Sequence, residues 1–135
     1  MLAEREGIEV YFWQFNGGVR GIYWRPQGGA PPAIFLDASL QEFPSLLRCV
    51  MAEELGHHFT TTGNCLCRTY FNYRDRLSVS KAEHRALRWA AKYLIPKDKF
   101  VMALQNGIRE RWELAEHFEV TEQMVEFRLG LMKCI

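Results

Sequence analysis

Four ionisable side chains crowd six positions of this chain: Glu53, Glu54, His57 and His58. The residues before them, Phe43, Leu46, Leu47, Val50 and Met51, recur at spacings of three and four, the spacing of one helix face. Carried one turn further, that face holds positions 53, 54, 57 and 58. The stripe therefore turns from apolar to ionisable without leaving the core side of the helix. Inward-facing carboxylates and imidazoles are costly unless something pairs with them, and a divalent cation would pair with all four.

Residues at i and i+4 point the same way and can ligate one ion together. Glu53 and His57 stand in that relation. Glu54 follows by one position, where a carboxylate can take a proton from water beside the metal. This is the layout of His-Glu-x-x-His metallohydrolases, with Glu53 in place of the first histidine. A second helix is expected from Lys81 to Leu94, with Leu87, Ala90, Ala91 and Leu94 as its core stripe and Pro96 as its stop. Glu83 lies on that stripe one turn before Leu87. Small Ala86, Ala90 and Ala91 let this helix approach another closely.

Two segments carry a resemblance. One is Glu53-Glu54-Leu55-Gly56-His57. The other holds Glu83, Ala86, Trp89-Ala90 and Leu94-Ile95-Pro96. Together they resemble the ImmA/IrrE family of metallo-endopeptidases, which carries His-Glu-Leu-Gly-His on its first site helix. Leu114-Ala115, Phe118, Val120 and Arg128-Leu129 extend the likeness, which covers roughly residues 34 to 130. It implies a small zinc-dependent peptidase encoded by a phage or other mobile element, which inactivates a partner repressor of the helix-turn-helix type. The implied roles are metal ligation by His57, Glu83 and Glu53 and general-base catalysis by Glu54. His58 is a neighbouring supporting group, a substitute ligand or a buried histidine bonded to backbone. Two carboxylates and one imidazole form a harder donor set than the family's, so Mn²⁺ or Fe²⁺ are alternatives to Zn²⁺.

A chain of 135 residues suits one domain with a modest core. Its formal net charge of +1 gives no strong field toward nucleic acid or membrane. The charged opening Met1-Leu2-Ala3-Glu4-Arg5 does not read as a secretory signal, and no apolar run is long enough to span a bilayer. Cys49, Cys65, Cys67 and Cys134 form no Cys-x-x-Cys pair and are expected as reduced thiols.

The organisation expected is a β part over 1–37, site helices over 39–96 and a C-terminal helical part over 97–135. The β part has strands at 8–15, 19–25 and 33–37, the first two joined as a hairpin by Asn16-Gly17-Gly18. Asp37 or Ser39 is expected to cap the first helix, with Pro44 in its opening turn. Residues 65–80 are aromatic and basic, with Tyr70, Tyr73, Arg68, Arg74 and Arg76, and read as a surface loop; a Tyr or Arg from it could stabilise a developing oxyanion. Ser78 or Ser80 is expected to cap the Glu83 helix.

The last two helices, Arg109–Phe118 and Gln123–Met132, with Thr121 as N-cap, resemble a helix-turn-helix. From residue 108 onward there are six glutamates against four Arg and Lys, a net of −2. A DNA reader needs a basic face toward the phosphates, so this unit is expected to pack or to dock a partner. The fold class expected is α+β, a minimal zincin-like domain whose small antiparallel sheet precedes mostly helices. The alternatives are an inactive relative that binds a regulator through the old cleft, and a helix-turn-helix DNA-binding regulator.

Overall fold

A computed structural model describes residues 2–61, 65–70 and 81–133, with side-chain detail for all of these except 65–70 and 133. A short helix α1 (Leu2–Arg5) precedes strands β1 (Glu9–Trp13), β2 (Val19–Arg25) and β3 (Ala33–Asp37). A 3₁₀ turn over Ala38–Glu42 leads into helix α2 (Pro44–Thr60), and strand β4 (Cys65–Tyr70) follows. Helices α3 (Lys81–Leu94), α4 (Lys97–Gln105), α5 (Arg111–Phe118) and α6 (Glu122–Lys133) complete the chain. The α+β class is as expected.

The sheet differs from expectation in its pairing. Its order is β1-β3-β2-β4. β2 runs antiparallel to β3 and β4, but β1 runs parallel to β3, with Tyr11 opposite Phe35. The expected β1–β2 hairpin is therefore absent. Gly17 and Gly18 both take positive φ, as a turn requires, but the turn carries β2 past β3 rather than back along β1. Strand β4 occupies the first part of the expected loop. The expected roles of Tyr73, Arg74, Arg76, Ser78 and Ser80 lie outside the described residues.

Alternation decides which sheet face is buried. Tyr23, Ile34 and Leu36 point inward and are nearly sealed. Pro44 begins α2 where its missing N–H costs nothing. The helix starts there, not at Ser39, because Ala38–Glu42 forms the tighter 3₁₀ turn. Asp37 instead accepts hydrogen bonds from the Ser39 hydroxyl and, at 3.1 Å, from the Phe15 N–H. Burial pushes its carboxyl up, but these bonds and the charge of Arg20 outweigh that and hold it below the usual range.

α2 is the centre of the molecule. Val50 and Leu55 join the core beneath the sheet, while Cys49 and Ala52 join the core of the helical half. Leu87, Leu94, Ile95, Leu114 and Met124 fill that second core, each side chain contributing about 1.5–3 kcal/mol on burial. Thr121 caps α6 as expected, its hydroxyl accepting from the Met124 N–H at 3.1 Å.

Arg128, 6% exposed, donates from Nε to the Ile95 carbonyl at 2.8 Å and ties α6 to the end of α3. Burial pushes its guanidinium below the usual arginine range. Arg128→Met keeps the bulk but orphans that carbonyl, and should cost about 1–3 kcal/mol in a chemical denaturation series. An unchanged midpoint would show that the bond adds nothing.

Candidate metal centre

Residues 52–57 of α2 are all buried. Glu53, Glu54 and His57 are each 0% exposed. Three ionisable groups within little more than one helical turn are thus held in the interior, between the sheet and α3.

Two glycines make the enclosure possible. A Cβ built on Gly56 would fall inside the contact radius of the Ala86 carbonyl oxygen. Backbone therefore meets backbone where α2 crosses α3, as the small residues of α3 anticipate. That approach brings His57 Nε2 to 3.1 Å from Glu83 Oε1. Gly21 lies on β2 over the same helix. Its Cβ would stand 3.2 Å from Glu54 Oε1 and 3.1 Å from Val50 Cγ1. A side chain there would push the carboxylate aside. Gly21 escapes a motif search because its partner is remote in sequence. Its only signal is a glycine inside a strand, which often marks a close approach or a bulge, and the β2–β4 register does slip between Val19 and Gly21.

His58 faces away from this centre. Its Nδ1 lies 2.8 Å from the Tyr23 hydroxyl and 3.2 Å from Arg25 Nη2, and its Nε2 lies 3.3 Å from Glu6 Oε1. Arg25 also donates to the carbonyls of His58 at 2.8 Å and Thr61 at 2.9 Å. These bonds clasp the end of α2 to β2 and to the residue following α1. Tyr23, Arg25 and Glu6 carry no motif and are found only through the fold.

The arrangement can be tested against a metal. Both ring nitrogens of His57 are sealed from solvent, and neither makes a well-formed hydrogen bond among the described residues. An imidazole buried beside a carboxylate is a ready half-site for a cation. Glu53 and Glu54 add oxygen donors on the same helix. Among the described residues no group of three or more His, Cys, Asp and Glu side chains is placed to hold a metal ion. The donor chemistry fits a cation, with His57 and Glu83 already paired and Glu53 one turn before His57.

A small sheet lies over a helix of buried acids, and a second helix crosses that helix with Glu83 beside His57. The chain belongs to the family of IrrE N-terminal-like peptidase domains, whose model matches residues 3–130. Neither the curated proteins nor the solved structures yield a match. Among the described residues no helix is long and apolar enough to cross a membrane.

Proposed function

We propose that this protein is a metal-dependent endopeptidase that cleaves a partner regulator, a helix-turn-helix repressor being the substrate class the resemblance favours. The observation that carries this reading is the complete burial of Glu53, Glu54 and His57 beside Glu83. Removing ionised groups from water costs several kcal/mol each, and a divalent cation is a charge that would offset that cost. The family is a peptidase family, and Zn²⁺ is the metal the resemblance favours. Cys49 is a buried thiol, and reduced thiols suit a reducing compartment, so we place the enzyme in the cytoplasm.

His57, Glu83 and Glu53 are the residues that would hold the ion. When bound, it would polarise the scissile carbonyl and make water a better nucleophile. Glu54, seated beneath Gly21, takes the proton from the attacking water and returns it to the leaving amine. Gly56 keeps His57 within reach of Glu83. The clasp on His58 fixes the last turn of α2, and with it the direction of the His57 ring. The final helices are not assigned to DNA. Arg111 is engaged by Glu126 at 3.2 Å, Arg128 is buried, and Glu122 is exposed.

The assignment of Glu53 is tested by titrating zinc into the Glu53→Ala, His58→Ala and Glu53→His variants. Glu53→Ala should weaken zinc binding at least tenfold and His58→Ala much less. Glu53→His should tighten it, since imidazole is the better zinc donor. A large loss for His58→Ala with none for Glu53→Ala would transfer the ligand role to His58. If no variant binds metal and the parent does not either, the inactive regulator-binding relative becomes the better reading.

A further inference from the structure

The face of the sheet turned away from α2 carries an aromatic surface that the catalytic reading does not use. Alternation sends Glu9, Tyr11 and Trp13 of β1, Phe35 of β3 and Trp24 of β2 to that side. Tyr11 and Phe35 stack across the β1–β3 pair, with ring centroids 5.4 Å apart. With Trp13, Trp24 and Pro31 they wall a concavity of about 540 Å³. Trp13 is 61% exposed, Trp24 45% and Tyr11 44%. So much open aromatic surface in one place marks an interaction site.

Charge narrows the occupant. Among the described residues, Glu9 is the one charged side chain lining the concavity, and no Lys or Arg among them lines it. Ring faces carry negative electrostatic potential, so rings plus a carboxylate attract a cation. Phosphate would be repelled, which disfavours nucleic acid. A wholly apolar partner would take Glu9 out of water with only the Tyr11 hydroxyl beside it. Position narrows it further. β1 is an edge strand of the sheet, and an extended segment laid along such an edge sends every second side chain over one face.

We propose that this surface docks an extended segment of a protein partner that pairs along β1 and places a lysine or arginine side chain among Tyr11, Trp13, Trp24 and Glu9. The site lies on the sheet face opposite α2. It is independent of the catalytic assignment, and its loss would leave His57 and Glu83 in place.

The test titrates the full chain with three end-blocked peptides, in which valine alternates with lysine, threonine or glutamate. Calorimetry measures affinity, and amide NMR shifts locate the contact. The lysine peptide should bind and shift the amides of residues 9–13, and the glutamate peptide should not bind. Glu9→Lys, a surface change, should weaken the lysine peptide about tenfold or more. Trp13→Ala should weaken it too, with the circular dichroism spectrum unchanged. No binding of the lysine peptide, or equal binding of all three, would overturn the proposal. So would self-association of the free chain that is abolished by Trp13→Ala, since the occupant would then be a second copy.

Discussion

Gly56→Ala should lower stability by at least about 2 kcal/mol, although alanine is the better helix former. Elsewhere in a helix this exchange gains up to ~1 kcal/mol. At position 56 the new methyl meets the backbone of Ala86, and backbone cannot rotate away as a side chain would. α3 must then retreat from α2, and Glu83 moves off His57. The variant should therefore lose thermal stability and metal affinity together. Gly130→Ala is the control. Gly130 lies in α6 with nothing within 4 Å of its added Cβ, so that change should be neutral or stabilising. If both variants behave alike, the α2–α3 crossing is not as close as the structure shows.

Glu54→Gln carries the largest expected effect on activity. General acid–base catalysis contributes about 10²–10⁴-fold, and the amide keeps the shape of the side chain without its basicity. Hydrolysis of a cleaved partner protein should fall by that range while metal content is unchanged. Gly21 makes this expectation more specific. Because a Cβ there would crowd Glu54 Oε1 at 3.2 Å, Gly21→Ala should impair turnover more than metal binding. Full activity in Glu54→Gln would move the general base to another group.

The site helix was legible because its chemistry is local. Glu53, Glu54 and His57 lie within two turns, and burial follows from the continuing stripe of Leu46, Val50 and Met51. Glu83 was legible because Ala86 and Ala90 beside it signal a close helix crossing. The 19–25 and 33–37 strands were legible from their β-branched and aromatic runs between Gly and Pro turns. The sheet order was not. Asn16-Gly17-Gly18 signals a turn, but a turn does not say which strand its exit will join. β1 pairs with β3 through contacts more than twenty residues apart, as in Val10 with Ile34, and no local pattern encodes that choice. The contacts of His58 were hidden for the same reason, since Tyr23, Arg25 and Glu6 reach it from two other elements. The aromatic side of the sheet could be read as aromatic, but not as open, until β3 was seen to lie between β1 and β2.

Metal content is the most direct measure of the central claim. The parent chain, purified without chelator and analysed by elemental mass spectrometry, should hold about one divalent ion per chain, and the ion should be removable by chelation with a fall in thermal midpoint. His57→Ala and Glu83→Ala should each abolish that ion while their far-ultraviolet spectra remain helical. A parent chain that binds no divalent metal, or variants that keep it with unchanged affinity, would contradict the assignment of this centre.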